Sequence, residues 1–215
     1  MTTSAIVGLG SIGNRHLKGL TTYADEFGID KILITDLSSS RLASALSHSP
    51  IAQESSIDDI KANADSVFIC TPTFHHLSAL KDFYSSSVGR IYLEKPLSSE
   101  IDGWRHVVED DIRRKTDTIV RVGYMLRFHP VIQKLKTLLN SDFVGRIFHV
   151  RVASGFYLPY WHPDEDYRAF YMSSRAQGGG VLLDTSHEID YLTWLFGSID
   201  TFSASVKRIS NLEIL

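Results

Sequence analysis

Three groups of residues in this 215-residue chain are of types and spacings that do chemistry. Gly8, Gly10 and Gly13 follow the apolar run Ala5-Ile6-Val7 and precede Leu17 and Leu20 at helical spacing, which reads as strand, tight turn, helix. In a dinucleotide-binding turn the first glycine bends the chain, the second lets the main chain approach a pyrophosphate, and the third lets helix and strand pack closely. The pyrophosphate then rests on the amides of the helix N-terminus. Lys95 leaves a strand and is restricted by Pro96 behind it. Its ammonium can polarise a substrate oxygen; taken in isolation it reads as an exposed loop lysine paired with Glu94. His187 stands between Asp184 and Asp190, three residues away on either side. A neighbouring carboxylate fixes a histidine's tautomer and tunes its pKa for acid/base work. For a lone histidine at a helix start the reading as a capped, satisfied core residue wins, unless Lys95 is close in space.

Asp36 strengthens the first group. Lys31-Ile-Leu-Ile-Thr-Asp36 reads as a second buried strand ending in an acid, placed where a dinucleotide fold carries its ribose-binding carboxylate. That carboxylate accepts from ribose hydroxyls and repels a 2′-phosphate, so NAD is expected over NADP. Arg41, preceded by Ser38, Ser39 and Ser40, softens the preference and keeps NADP open.

The elements that must position these groups alternate. Helices are expected over Ser38–Ser47, with Leu42, Ala45 and Leu46 inward, over Ile57–Lys61 and over Phe74–Tyr84. Strands are expected over Ser66–Cys70 and Arg90–Leu93. Such alternation implies parallel pairing with right-handed crossovers, and ligands then bind beyond the carboxyl ends of the strands. The places to look are therefore Gly8–Gly13, Thr71-Pro-Thr-Phe-His-His76 and Glu94-Lys-Pro96. A helix over Ile101–Arg114, a strand over Thr118–Gly123 and a helix from Pro130 to Asn140 follow. Alternation over Gly145–Gly155 predicts a longer, antiparallel strand, with a domain boundary near Gly123. Phe156–Gln177 is a long loop bearing Tyr157, Tyr160, Trp161, His162, Tyr167, Arg168 and Arg175, suited to stacking on sugar faces and forking onto anions, or to packing on its own domain or a second subunit. After Gly178-Gly-Gly180 comes a helix, expected to be largely buried, in which Thr185 and Glu188 match a capping box.

Several classes are excluded. A net charge of −3 supplies no electrostatic footprint for nucleic acid or a membrane surface. The single cysteine, Cys70, lies in an apolar run and reads as a buried core thiol, in keeping with a reducing cytoplasm. The N-terminus does not read as a signal peptide, and no apolar run is long enough for a membrane span. "HEIDY" lacks the second histidine of a zinc protease motif, and His16, His48 and His106 show no ligand spacing, so no metal is expected.

In their order and intervals, "GLGSIGNRHL", "TPTFHH", "EKPLS", "GYMLRFHP" and "GGGVLLDTSHEIDYLTWLFG" resemble the Gfo/Idh/MocA family of nicotinamide-dependent oxidoreductases. The resemblance implies an α/β architecture: a Rossmann domain with a doubly wound parallel sheet over residues 1–123, then an α+β substrate and oligomerisation domain over residues 124–215 with a mostly antiparallel sheet. It implies cofactor contacts from Gly8, Gly10, Ser11, Ile12 and Gly13, from Asp36 and Arg41, and from Thr71, Pro72, His76, Glu94 and Lys95. It places Lys95 and His187 at the reacting hydroxyl or carbonyl, assisted by Asp184 or Asp190. Arg127, Tyr160, Trp161 and Arg168 join them as substrate contacts. The substrate implied is a sugar, sugar nucleotide or cyclitol, and the assembly a homo-oligomer through the C-terminal sheet. Two departures stand out. Asp184 is one position closer to His187 than the aspartate of many members, and on size grounds the second sheet looks incomplete, which leaves an open edge. Two other readings use the same residues: a non-catalytic cofactor-binding or interaction protein, and an NAD-assisted glycoside hydrolase, which differs from a dehydrogenase in yielding no net NADH.

Overall fold

The computed structural model describes residues 2–100, 103, 105, 118–161, 163 and 166–214. All of the helix expected over Ile101–Arg114 but residues 103 and 105, like His106 and His162, lies outside them. Chain contacts divide the protein into two units, Met1–Gly123 and Tyr124–Leu215.

The first unit is built on apolar runs too short for helices and bounded by turn residues. They form the strands β1 (Thr2–Val7), β2 (Ile29–Thr35), β3 (Ala52–Glu54), β4 (Ser66–Ile69), β5 (Arg90–Leu93) and β6 (Ile119–Val122). All pair in parallel, in the order β3-β2-β1-β4-β5-β6. Between them run α1 (Ser11–Thr22), α2 (Ala24–Phe27), α3 (Ser39–His48), α4 (Ile57–Asn63) and α5 (His76–Tyr84).

Alternate residues of each strand point to opposite faces. Ala5, Val7 and Leu33 therefore pack with Ile60, Leu80 and Phe83 from α4 and α5, while Ile6, Ile32 and Ile34 pack with Leu17, Leu42 and Ala45 from α1 and α3. Cys70 is buried in the second cluster, and burial pushes its thiol pKa up, so it is an inert core residue. Leu46 departs from expectation: it is 38% exposed, because α3 turns only Leu42 and Ala45 onto the sheet. The order of strands reverses between β1 and β4, which puts a crevice beyond the carboxyl ends of those two.

In the second unit the main helices are Pro130–Asn140 and Ser186–Phe196. Pro130 opens the first, where its missing N–H costs nothing, and the His129 side chain accepts from Val131 N–H. The expected antiparallel sheet is not formed: residues 145–155 and 201–208 carry no strand pairing among the described residues. Alternation makes a segment fit for a strand, but a strand exists only where a neighbour takes its N–H and C=O groups. Both segments are exposed throughout.

The expected capping box at Thr185 is also absent. A short helix, Val181–Asp184, immediately precedes the long one, and the Thr185 hydroxyl turns back to donate to Val181 O at 2.6 Å. Nor is the Ser186–Phe196 helix largely buried: its residues are half-buried, with Ile189 46% and Phe196 41% exposed.

Candidate functional site

Beyond the ends of β1 and β4 the glycine turn is shaped by contacts that admit no side chain at two of its three positions. Gly8 has φ +92°, a conformation L side chains avoid, and a Cβ there would sit 2.8 Å from Cys70 O. A Cβ on Gly13 would lie 1.9 Å from Gly8 O. Gly10 is different: nothing lies within 4 Å of where its Cβ would be, and its φ of −64° suits any residue. The space it leaves opens at the head of α1, where Gly10 is the N-cap with no side-chain cap and the first turn holds no acid. The first i→i−4 bond is Asn14 N–H to Gly10 O, so the amides of Ser11, Ile12 and Gly13 precede the helical ladder. Thr71 adds an orphaned group at the same edge: its Oγ1 is buried without a hydrogen-bond partner among the described residues. Unpaired amides, a dipole end and a hydroxyl without a partner fit a pyrophosphate.

Asp36, just past β2, is bound to this turn. Its carboxylate accepts from Leu9 N–H at 2.6 Å and Ser38 N–H at 2.8 Å, and its side chain is 6% exposed. Each oxygen keeps a further lone pair, so the carboxylate can orient the turn and still accept from a ribose. Arg41 Nη1 stands 3.8 Å from Asp36 Oδ1 on a half-exposed side chain, an ion pair worth little in stability.

At the ends of β4 and β5 two histidines organise the loops. His16 of α1 meets Glu94 Oε1 at 2.8 Å through Nε2, with its ring tilted against Phe68 and edge-on to Tyr92. The Tyr92 hydroxyl donates to the same oxygen at 3.4 Å, and Glu94 Oε2 accepts the Lys95 N–H at 3.3 Å. Burial and the carboxylate together push the Tyr92 pKa up. Glu94, expected among the cofactor contacts, is 9% exposed and ties α1 to the main chain of Lys95. His76, expected among the cofactor contacts, is 1% exposed, with both ring nitrogens against main-chain carbonyls, Pro96 O at 2.7 Å and Thr71 O at 2.9 Å. The Lys95–Pro96 peptide is cis, and Lys95 is half-buried.

In the second unit, Arg127 forks onto Asp190, Nε to Oδ2 at 2.7 Å and Nη2 to Oδ1 at 2.5 Å, with the Asp190 side chain 8% exposed. This bidentate pair raises the Arg127 pKa further. Arg127, expected among the substrate contacts, and Asp190, one of the two acids expected to assist the histidine, are thus paired with each other, and Gln133 donates to Arg127 O. His187, one turn earlier on the same helix as Asp190, packs edge-on against Tyr124 with ring centroids 5.7 Å apart. Lys136 sits over the Trp194 ring at 3.5 Å. In the loop, Tyr160 meets Tyr157 and Trp161 meets Phe156 edge to face. Arg168 pairs with Glu213 at 3.2 Å and Asp166 at 3.6 Å on the exposed surface.

Local sequence reasoning missed His16 and the partners of Asp190. Neither carries a spacing signal, because each contact joins residues far apart in the chain.

A doubly wound parallel sheet with an open glycine cradle and an acid after its second strand defines a dinucleotide-binding fold. Residues 2–124 match the family described as "Oxidoreductase family, NAD-binding Rossmann fold", and residues 132–213 match "GFO/IDH/MocA C-terminal domain". The chain belongs to the Gfo/Idh/MocA oxidoreductase family, and its first unit is the NAD-binding Rossmann domain. Inositol 2-dehydrogenase 2 of Saccharopolyspora erythraea is 30% identical over 219 residues, covering 96% of this chain and 58% of that protein. The uncharacterized oxidoreductase YrbE of Bacillus subtilis is 28% identical, covering 91% and 54%. Among solved structures, myo-inositol 2-dehydrogenase from Lactobacillus plantarum shares the fold with a TM-score of 0.75 at 22% identity, covering 91% of this chain and 56% of that one. The chain thus spans little more than half the length of the relatives it matches. No helix among the described residues is long and apolar enough to cross a membrane.

Proposed function

We infer that the protein is an NAD-dependent oxidoreductase acting on a CH–OH carbon, or the corresponding carbonyl, of a cyclitol, sugar or sugar nucleotide. The observation that carries the reading is Asp36, held by the amides of Leu9 and Ser38 at the edge of an open glycine cradle. Relatives support the substrate class: several are inositol 2-dehydrogenases, and a WlbA dehydrogenase of the same fold (TM-score 0.72) was solved with NADH and UDP-GlcNAcA.

When bound, the nicotinamide supplies the hydride acceptor or donor. The protein's own residues do the rest. The α1 amides and Thr71 receive the pyrophosphate, and Asp36 receives the ribose hydroxyls. Lys95 holds and polarises the substrate oxygen, and His187 takes its proton during oxidation and returns it during reduction. Because Asp190 is committed to Arg127, the assisting aspartate is Asp184. We assign residues 1–123 to the dinucleotide and residues 124–215 to substrate and to self-association, for which the exposed apolar residues of 145–155 and 201–208 are the support. A single buried, unpaired thiol agrees with a cytoplasmic setting.

The test is turnover of myo-inositol with NAD⁺, followed as net NADH. Lys95→Ala and His187→Ala are each expected to lower kcat about 100-fold or more while NADH affinity stays within about threefold. Unchanged turnover in either variant removes that residue from the chemistry. Activity without net NADH points to glycoside hydrolysis.

A further inference from the structure

A catalytic ammonium must be held to about half an ångström, yet lysine is long and flexible, so the main chain at its root has to be fixed. At Lys95 it is fixed from two sides. Glu94 Oε2 accepts the Lys95 N–H, and His16 holds Glu94 through its other oxygen. On the far side lies His76, buried and 2.7 Å from Pro96 O. Proline has no N–H, so its carbonyl is the sole main-chain hydrogen-bonding group Pro96 possesses, and His76 occupies it.

The ring of His76 faces two carbonyls, Pro96 O through Nδ1 and Thr71 O through Nε2. Burial, the largest influence, lowers its pKa, so near neutral pH the ring carries one N–H and serves one carbonyl. The Nδ1 contact is the shorter, at 2.7 Å against 2.9 Å, and the proton is assigned there from that geometry. Nε2, 2.9 Å from the Thr71 carbonyl, has no proton to donate in that form, so that contact is the weaker of the two.

We propose that His76 is a positioning residue for Lys95: its Nδ1–H donates to the Pro96 carbonyl and fixes the main chain that carries the lysine. His76 acts through Pro96 and does not itself reach the reacting atoms. The inference rests on the reading of Lys95 as the group at the substrate oxygen. It goes beyond that reading by naming what sets the lysine's place.

The two contacts can be separated chemically. Asparagine puts an amide nitrogen near the place of Nδ1, and glutamine puts one near the place of Nε2. His76→Asn, His76→Gln, His76→Ala and Lys95→Ala are made in the full chain and compared at a temperature where circular dichroism shows all of them folded. Two readouts are taken: kcat and KM for myo-inositol with NAD⁺, and deuterium exchange of the ligand-free segment 94–99 by mass spectrometry. The Asn variant is expected within about threefold of the native kcat, with native protection of 94–99. The Gln and Ala variants are expected to lose about tenfold or more in kcat, with KM for NAD⁺ within about threefold, and to exchange faster over 94–99.

Asn and Gln variants that behave alike overturn the proposal, because the ring then only fills space. So does a Gln variant that folds where the Asn variant does not; if the Gln variant fails to fold, His76→Ala takes its place in the comparison. Lys95→Ala with native turnover, or a native chain that does not turn over myo-inositol, tells against the underlying reading of Lys95 or its substrate. The exchange readout then decides the clamp alone: protection in Asn but not in Gln upholds it, and parity overturns it.

Discussion

Gly10 and Gly13 are the same residue type, three positions apart, doing opposite jobs. A methyl on Gly13 would meet Gly8 O at 1.9 Å, whereas one on Gly10 would meet nothing of the protein within 4 Å. Gly13→Ala is therefore expected to destabilise the fold by about 3 kcal/mol, at the upper end of what overpacking a core costs, because the clash is with main chain. Gly10→Ala should leave the melting temperature within about 2 °C and lower NADH affinity about tenfold or more, since the methyl enters the space meant for the pyrophosphate. A thermal melt and a calorimetric titration of the two variants decide it; equal effects on both would mean that Gly10 is structural too.

His76 supplies a pH signature at the same scale. Its native pKa lies below the ordinary 6.5, with burial the main cause, the hydrogen bonds to the Pro96 and Thr71 carbonyls and the charge of Glu94 opposing, and Lys95 assisting. The unfolded chain binds the proton below about pH 6.5 while the native ring does not, so the unfolded state binds more protons and stability rises with pH through that window. The His76 contribution is complete above 6.5 and is lost as pH falls toward the lowered native value. The urea midpoint should drop between about pH 7.5 and pH 5, and part of that drop should vanish in His76→Ala. The glycines and Asp36 were legible in the sequence because their work is local and their spacing is fixed by one turn. The clasps were not: His16 on Glu94, His76 on Pro96 and Arg127 on Asp190 join residues brought together only by the fold.

Elements were legible in proportion to how much of their stability is their own. β1 and β2 carry apolar runs buried on both faces, and β4 and β5 are short apolar stretches that bury every second residue; such runs declare themselves. β3 is three residues, two of them exposed, and owes its existence to pairing with β2; α2 is a single turn. Neither is long enough to show a period. The converse error lies at 145–155, where alternation is clear and no ladder forms among the described residues. The register of α3 can be tested directly. Ile34, fully buried on the face that α3 covers, should cost about 2–5 kcal/mol when changed to alanine. Leu46→Ala, at a position 38% exposed, should cost under about 1 kcal/mol. Urea unfolding of the two variants reads this difference, and a large loss at Leu46 would show that α3 sits on the sheet by a different face.

At the scale of the whole molecule, the two halves carry different kinds of information. The first unit contains, around one sheet, a glycine turn open at Gly10, an acid just past β2 and a lysine loop braced by two histidines. The second carries His187 on a helix whose Asp190 is locked by Arg127. Family membership joins these into an oxidoreductase reading, and the reading stands or falls on the cofactor. The most direct measurement is a calorimetric titration of the chain with NADH and, separately, NADPH, beside the Asp36→Asn variant, which retains an acceptor oxygen for the glycine turn but loses the charge. The account predicts saturable binding of NADH, weaker binding of NADPH, and a preference that narrows or reverses in Asp36→Asn. A folded chain that binds neither dinucleotide, or a native preference for NADPH that the variant leaves unchanged, would contradict it.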